Sequence, residues 1–542
     1  MDALARIQEY RNSHGAAYTL RRLTQIMMEQ KLGSYDRLRA GDLPTEEELA
    51  YQRENQPDAG LISVVIPVYN TDPRMLEELL EDLRTQTYRS LDVVLYDGGS
   101  TRTETKDVLD HAGESFRVVR AAENKGISGN TNEAVALARG EYVALCDHDD
   151  RLTPDALWRM AERIARDRPD VLYSDEDRIT EDGSHHMDPH YKPEYNPETL
   201  VSDNYICHLA VIRKSLLEEI GGLRSGFDGS QDHDLFLRLA EKTDRFAHVP
   251  YTLYSWREVF SSRSHLDLQT CLENACRAAE EHEARCGRSV KAEPVNKAVR
   301  LWAEPDPETS VEALIYGQSE EECRACWEEL KERTTWRNLS AALIVTDEGK
   351  RFEAINEAAR ASKAECLLLL EAGVYGMNRH FIRELMMFVR EGIAGVTPVL
   401  TDRKEKITHA GFALGREKTI AACVNEGLYA LAGGWHDLMN KVHNVSAVSP
   451  CCLLVRKDCW EDFDPAYRSG LAAADLGLRQ REAGRRYVFT PHARAIREKC
   501  PLLLSGKTRD AADAERFTAR WGNPEDPCYS SRFDRRNAKY KY

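Results

Sequence analysis

Tyr142-Val143-Ala144-Leu145-Cys146-Asp147-His148-Asp149-Asp150 is a hydrophobic strand that runs straight into three carboxylates set around one imidazole. Like charges packed this closely repel, so the arrangement is costly without a cation. Oxygen ligands of this kind suit Mg²⁺ or Mn²⁺, which also hold the phosphates of a bound nucleotide. A polar turn leading into a helix at Thr153-Pro154 would use carboxylates too, because they favour the positive end of the helix dipole. That role needs one or two acids, and three stand here.

Outward from this strand, short apolar runs alternate with helical periodicity, the signature of a mainly parallel sheet flanked by helices. Leu61 to Val68 reads as a buried strand. Asp72 then offers a helix N-cap and Pro73 a first-turn proline, and Leu76, Leu79, Leu80 and Leu83 make one apolar face. Further strands are expected at Leu91 to Tyr96 and Phe116 to Val119. Asp97 and Asp147 each directly follow a strand, and open α/β sheets bind ligands in the crevice outside the carboxyl ends of their strands.

Other polar clusters are weaker alone. Asp97-Gly98-Gly99-Ser100 can offer a carboxylate to a pyrimidine imide or a ribose hydroxyl, or serve only as a turn. Asn124-Lys125-Gly126-Ile127-Ser128-Gly129-Asn130 is a turn before a helix, structural or phosphate-facing. Ser174-Asp175-Glu176-Asp177 follows the strand Val171 to Tyr173, with Lys192 downstream in a polar segment. In Gly229-Ser230-Gln231-Asp232-His233-Asp234-Leu235, two carboxylates sit in the first turn of a helix. Dipole stabilisation explains both, and a carboxylate facing the crevice would also suit a general base for an acceptor hydroxyl.

At 542 residues the chain is long enough for two to four domains, at roughly 100 to 200 residues each. Its 42% hydrophobic and 30% charged residues rule out disorder as the main state. A formal charge of -16 gives no bulk positive field for a nucleic acid backbone, so nucleic acid is excluded as the main partner. No apolar run reaches the ~18 to 20 residues of a membrane span. The start, Met1 to Arg6, lacks the apolar core of a signal peptide, so the expected location is the cytoplasm. Residues 1 to 60 read as a helical arm and linker, with Ala16, Leu20, Leu23 and Met27 on one stripe beside Arg21 and Arg22. Packing on the body is the plain reading, and peripheral contact with an anionic membrane face is the alternative. Cys323 and Cys326 lie in a helix-like run, Glu320 to Lys331, with no second pair for zinc, and are read as structural.

Taken together, Val65-Ile66-Pro67-Val68-Tyr69-Asn70, Asp97-Gly98-Gly99-Ser100, Asp147-His148-Asp149-Asp150, Ser174-Asp175-Glu176-Asp177 and Gln231-Asp232-His233-Asp234-Leu235 resemble, in order and spacing, family 2 glycosyltransferases of the GT-A fold. The nearest subgroup is the bacterial rhamnosyltransferase-like enzymes of surface-polysaccharide assembly. The resemblance covers about residues 60 to 290. It implies an α/β fold with a mixed, mostly parallel sheet, a nucleotide-diphosphate sugar donor, a glycan or lipid-linked glycan acceptor, and inversion by direct displacement. It further implies donor contacts at Pro67, Tyr69, Asp97, Asn124, Asp147 and Lys192, a divalent cation (Mn²⁺ or Mg²⁺) at Asp147 and Asp149, and a catalytic base at Asp232. Trp256-Arg257 matches a further family element, but Ser255 replaces the histidine usual there, and the Gly-Ser-Thr that tends to follow is not clear in Phe260 to Ser264.

After a Pro-containing linker near Ala303 to Ser310, a similar order of elements begins again. The expected division is therefore an arm at 1 to 60, a catalytic domain at 61 to 302 and a second GT-A-like copy at 310 to 542. His409-Ala410-Gly411, Asn444-Val445-Ser446-Ala447-Val448, Cys452-Leu453-Leu454-Val455-Arg456-Lys457 and Asp526-Pro527 carry the second resemblance. Its chemistry departs: Glu371-Ala372-Gly373 stands where D-x-D should end a strand, and Ala472-Ala473-Ala474-Asp475 where the base motif should open a helix. That implies a degenerate domain for packing, acceptor binding or pairing. A nucleotidyltransferase or a dinucleotide oxidoreductase would need a Gly-rich loop after the first strand, and Pro67-Val68-Tyr69-Asn70-Thr71-Asp72 supplies none. The remaining alternative is a non-catalytic scaffold in a polysaccharide assembly complex.

Overall fold

A computed structural model describes residues 35–259, 268–416, 420–499, 511–533 and 538–540. The chain divides into two units, Met1–Tyr195 with Asp203–Val299, and Asn196–Ser202 with Arg300–Tyr542. The boundary thus falls at Val299, and the short helix Pro197–Ser202, expected in the first domain, goes with the second. Glu198 gives the physical reason. Its buried carboxylate accepts from Arg486 Nε at 3.1 Å, from Arg390 Nη2 at 3.2 Å and from Asn444 Nδ2 at 2.8 Å.

The first unit opens on helices α1 (Tyr35–Asp42) and α2 (Glu46–Glu54), the described end of the arm. A capping box between Thr45 and Glu48 starts α2. The stripe from Ala16 to Met27 lies outside the described residues. In α1, Tyr35 and Arg39 anchor on the buried Asp177, each at 3.0 Å, so this part of the arm packs on its own unit. Among the described residues no helix is long and apolar enough to cross a membrane.

Next come β1 (Ile62–Val68), α3 (Pro73–Arg84), β2 (Leu91–Asp97), α4 (Thr103–Asp110), β3 (Phe116–Arg120), α5 (Gly126–Leu137), β4 (Tyr142–Leu145) and β5 (Arg151–Leu152). They are followed by α6 (Ala156–Asp167), β6 (Val171–Ile179), β7 (His186–His190), β8 (Ala210–Arg213), α7 (Gln231–Ala240) and β9 (Phe246–Arg257). Asp72 accepts the Arg74 amide at 3.1 Å with Pro73 at the first helical position, as the sequence predicts. Leu76, Leu79, Leu80 and Leu83 are buried, and each contributes roughly 1.5–3 kcal/mol of apolar burial to docking α3 on the sheet.

The sheet order is β3-β2-β1-β4-β8-β6-β9-β5, with β7 on β6. β1 runs parallel to β2 and β4, β8 is antiparallel to β4 and β6, and β9 is parallel to β6. Pro67 is tolerated in a central strand because of where β4 stops. Val65 bonds on the β4 side, to the Cys146 amide, and Val68 on the β2 side, to Gly98. Alternation along the parallel ladder turns Pro67 to the β4 side, past the last β4 partner, where no N–H is required.

The second unit contains β10 (Val311–Gly317), β11 (Leu339–Val345), β12 (Cys366–Glu371), β13 (Ile393–Thr401), β14 (Cys452–Arg456), α8 (Leu471–Glu482) and β15 (Arg486–Ile496). Its sheet runs β11-β10-β12-β14-β13-β15, with the short strand His443–Val445 outside β15. β10 is parallel to β11 and β12, β14 antiparallel to β12 and β13, and β13 parallel to β15. Strand for strand, this is the order and sense of β2-β1-β4-β8-β6-β9. Cys323 and Cys326 are buried in the helix Glu320–Arg333, and burial pushes the Cys326 thiol up to about 12, as suits a packing residue.

Candidate active site

The acidic turn after β4 is held from beneath by β9. The Asp147 amide donates to the Tyr254 hydroxyl at 3.1 Å, and that hydroxyl donates to Asp150 Oδ2 at 2.6 Å. Three residues on, the Arg257 amide donates to Asp150 Oδ1 at 2.7 Å and Arg257 Nε to the Asp149 carbonyl at 2.7 Å. The rest of this buried guanidinium bonds Glu78 at 2.6 Å and the Glu181 carbonyl at 3.1 Å. Arg257 therefore holds the turn in place, while Phe260 to Ser264 lie outside the described residues. Asp150 is completely buried and structural. Asp147 and Asp149 keep side-chain exposures of 34% and 28%, and among the described residues no arginine is bonded to either carboxylate.

Burial raises the Asp149 carboxyl, Asp147 raises it further, and His148, 3.6 Å away, opposes. Two carboxylates at one sheet edge, met among the described residues only by the imidazoles of His208 and His148 at 3.6 Å each, are oxygen donors of the kind that suit a hard cation. Among the described residues no group of three His, Cys, Asp or Glu side chains is arranged to hold a metal. A cation carried at this turn would rest on Asp147 and Asp149 alone and would need its other ligands from substrate phosphates and water.

Asp97 ends β2 one strand away. It is buried, its Oδ1 takes the Ser100 amide at 2.8 Å, and Arg120 Nε lies 3.8 Å from its Oδ2. The turn is tight: a Cβ on Gly98 would lie 2.3 Å from Asn130 Nδ2, so only glycine fits. Asn124 accepts from the Gly126 amide at 2.9 Å and from Asn130 Nδ2 at 2.8 Å, which commits its carbonyl oxygen to the same turn. Tyr69, 41% exposed just past β1, presents an open ring at this edge. Lys192 corrects the sequence expectation. It is fully buried, and its ammonium donates to the carbonyls of Ile206 and His208, both at 2.6 Å, with Glu176 at 3.4 Å, so it anchors the segment before β8 instead of facing a donor.

Asp232 and Asp234 open α7 in opposite circumstances. Asp234 is completely buried and takes Arg224 Nε at 3.0 Å and Arg238 Nε at 2.9 Å. Among the described residues Asp232 has no cationic side chain bonded to it, only Gln231 Nε2 at 3.1 Å. Burial pushes its carboxyl up to about 6, His208 pulls the other way, and Asp147 adds to the rise. The second unit supplies a control. In α8, Asp475-Leu476-Gly477-Leu478-Arg479 parallels Asp234-Leu235-Phe236-Leu237-Arg238, and the buried Asp475 likewise takes Arg479 Nε at 2.9 Å and Arg520 Nη1 at 3.1 Å. The position of Asp232 is held there by Ala473.

His208 was not singled out by the sequence. Antiparallel pairing of β4 with β8 sets Leu145 opposite Ala210, and two steps further it brings His208 beside Asp147, with Nε2 3.6 Å from Asp147 Oδ2. A register between strands 65 residues apart leaves no local signal.

Residues 63–221 match the family described as "Glycosyl transferase family 2". An uncharacterized protein, y4gI of Sinorhizobium fredii, is 32% identical over 497 residues, which are 82% of this chain and 53% of that protein. O-antigen biosynthesis protein RfbC of Myxococcus xanthus is 28% identical, over 80% of this chain and 37% of that protein. Chondroitin synthase of Escherichia coli is 28% identical, over 42% of this chain and 33% of that protein. The chain thus spans about half the length, or less, of these relatives. The match identifies residues 63–221, which carry the acidic turn and its sheet, as a glycosyl transferase family 2 domain.

Proposed function

We propose that the first unit transfers a sugar from a nucleotide-diphosphate donor to a glycan hydroxyl in the assembly of a bacterial surface polysaccharide. The observation that carries this is the division of acids at one sheet edge. Asp147 and Asp149 form a partly exposed pair with no arginine bonded to either, and Asp232 stands apart with its carboxyl raised and, among the described residues, no arginine on it, while its neighbour Asp234 is neutralised twice over. The names of the relatives RfbC and chondroitin synthase support the polysaccharide context. Asp147 and Asp149 would hold Mn²⁺ or Mg²⁺, which when bound neutralises the departing diphosphate. Asp232 takes the acceptor hydroxyl proton as the new bond forms, and a single displacement from the face opposite the leaving group inverts the anomeric carbon.

The second unit is read as a copy that has lost this chemistry. At the end of β12 the single acid Glu371 is covered by Arg497 Nε at 3.1 Å, so a guanidinium stands where the first unit leaves room for a cation. The test is a panel of UDP-, GDP- and dTDP-sugars with Mn²⁺ and with a chelator, followed by thermal unfolding and slow donor hydrolysis. Stabilisation and hydrolysis that both require the cation are expected. A purified chain that is stabilised by no donor and hydrolyses none would leave a scaffold role in place of a transferase.

A further inference from the structure

His208 stands beside Asp147 at the acidic turn, and among the described residues its ring is fixed without a hydrogen bond of its own. Its amide donates to Glu176 Oε2 at 3.1 Å, and its carbonyl accepts from the buried Lys192 Nζ at 2.6 Å. The ring stacks on Tyr254 with centroids 5.0 Å apart and planes at 27°, and Tyr254 is in turn bonded to Asp150. Nδ1 is buried with no partner, and Nε2 stops 3.6 Å from Asp147 Oδ2, outside hydrogen-bond reach. A buried N–H left unsatisfied is rarer and costlier than an unsatisfied lone pair, so in either protonation state Nε2, the nitrogen turned towards Asp147, is the one that offers an N–H. The imidazole also acts electrostatically on Asp232.

We infer that His208 donates its Nε2–H to a hydroxyl of the sugar being transferred. In the transferase reading Asp147 marks the diphosphate side of the reaction and Asp232 the acceptor side, so the sugar attached to the diphosphate starts beside Asp147, towards which the Nε2 of this ring is turned. A rigid donor with unused capacity is what orients a polyhydroxylated ring, because a buried N–H discriminates against any donor that fails to satisfy it. Lys192 and Glu176 then act through His208: they fix its backbone, and Lys192 needs no contact with the donor to matter for donor binding. The inference rests on the transferase reading above.

The test compares wild type with His208→Phe, which keeps the stack on Tyr254 and removes the N–H, and with His208→Gln, which restores a donor. Calorimetry with Mn²⁺ measures UDP against UDP-glucose and UDP-N-acetylglucosamine, GDP against GDP-mannose, and dTDP against dTDP-rhamnose, and the pair that binds wild type best is followed. The Phe variant is expected to bind the nucleoside diphosphate within about twofold of wild type, the nucleotide sugar about three- to tenfold more weakly, and the Gln variant to recover most of that loss. If the Phe variant does not fold, His208→Asn, with an amide too short to reach, carries the same expectation. Unchanged nucleotide-sugar affinity overturns the inference. Equal losses for nucleotide and nucleotide sugar overturn it too, because the contact is then to phosphate. A wild type that binds no member of the panel removes the transferase reading itself, and the inference with it.

Discussion

Asp232 and Asp234 lie two positions apart on one helix, and their surroundings give them opposite work. At 3.6 residues per turn they point roughly 200° apart, and the structure turns Asp234 into a paired arginine cluster and leaves Asp232 unpaired. Asp232→Asn is therefore expected to fold normally and to lose transfer by about 10² to 10⁴-fold. Because burial raises the Asp232 carboxyl to about 6, the folded state binds that proton more tightly than the unfolded chain, so ionisation at pH 7 weighs against folding. The Asn variant should accordingly unfold at a temperature no lower than wild type at pH 7. Asp234→Asn should instead lower stability by about 3 kcal/mol, through arginines left unpaired, with transfer reduced only in proportion to unfolding. A thermal melt and a transfer assay on both variants check this, and near-normal transfer by Asp232→Asn would reverse the assignment. The same carboxyl sets the pH profile. A base works ionised, so kcat/KM should fall about tenfold per unit below pH 6, and an acid limb centred near 4 would mean that the burial around Asp232 does not persist in solution.

At the scale of elements, the acidic turn depends on a strand more than 100 residues downstream. Tyr254 and Arg257 in β9 hold Asp150 and the Asp149 carbonyl, so that Asp147 and Asp149 leave the turn in fixed directions. Arg257→Met retains both of those carboxylates and removes the guanidinium beneath them. It should weaken Mn²⁺-dependent nucleotide binding by about tenfold or more in calorimetry. Binding at wild-type strength would show that Tyr254 alone suffices. Strands β1, β2 and β4 were legible from apolar runs bounded by turn residues, and α3 from its cap, proline and leucine spacing. The role of Arg257 was not legible, because its partners come from α3, the acidic turn and the segment after β6. Lys192 was misread for a related reason: a lysine in a polar stretch looks exposed, and only the folded segment around Ile206 and His208 supplies the carbonyls that allow its burial.

Across the whole molecule, two sheets of matching strand order differ in what stands at their carboxyl edges. The second keeps the buried Asp475 with its arginines, has Ala473 at the base position and covers Glu371 with Arg497. Calorimetry should find one nucleotide-sugar site per chain, abolished by a chelator, and two sites of comparable affinity would refute the loss of function in the second unit. That unit carries its own pH signature. Burial alone would raise the Glu198 carboxyl, but Arg486 and Arg390 hold it down to about 2. Its stabilising effect is thus present above the ordinary glutamate range and lost as pH falls towards 2. Glu198→Gln should flatten the acid-unfolding curve of this unit, and an unchanged curve would show that other carboxylates govern it.

The sequence by itself determined the strands and helices around the first site, the repetition of that order in the second half, and the acids at the ends of β2 and β4, because each is written in local spacing, capping and hydrophobic period. Only the tertiary structure decided which of those acids are pinned and which remain open, moved Pro197–Ser202 into the second unit, buried Lys192 and brought His208 to Asp147. Those outcomes depend on strand register and on charge pairing between residues tens to hundreds of positions apart. Burial and the pairing of charges are properties of the packed chain, so no local pattern carries them.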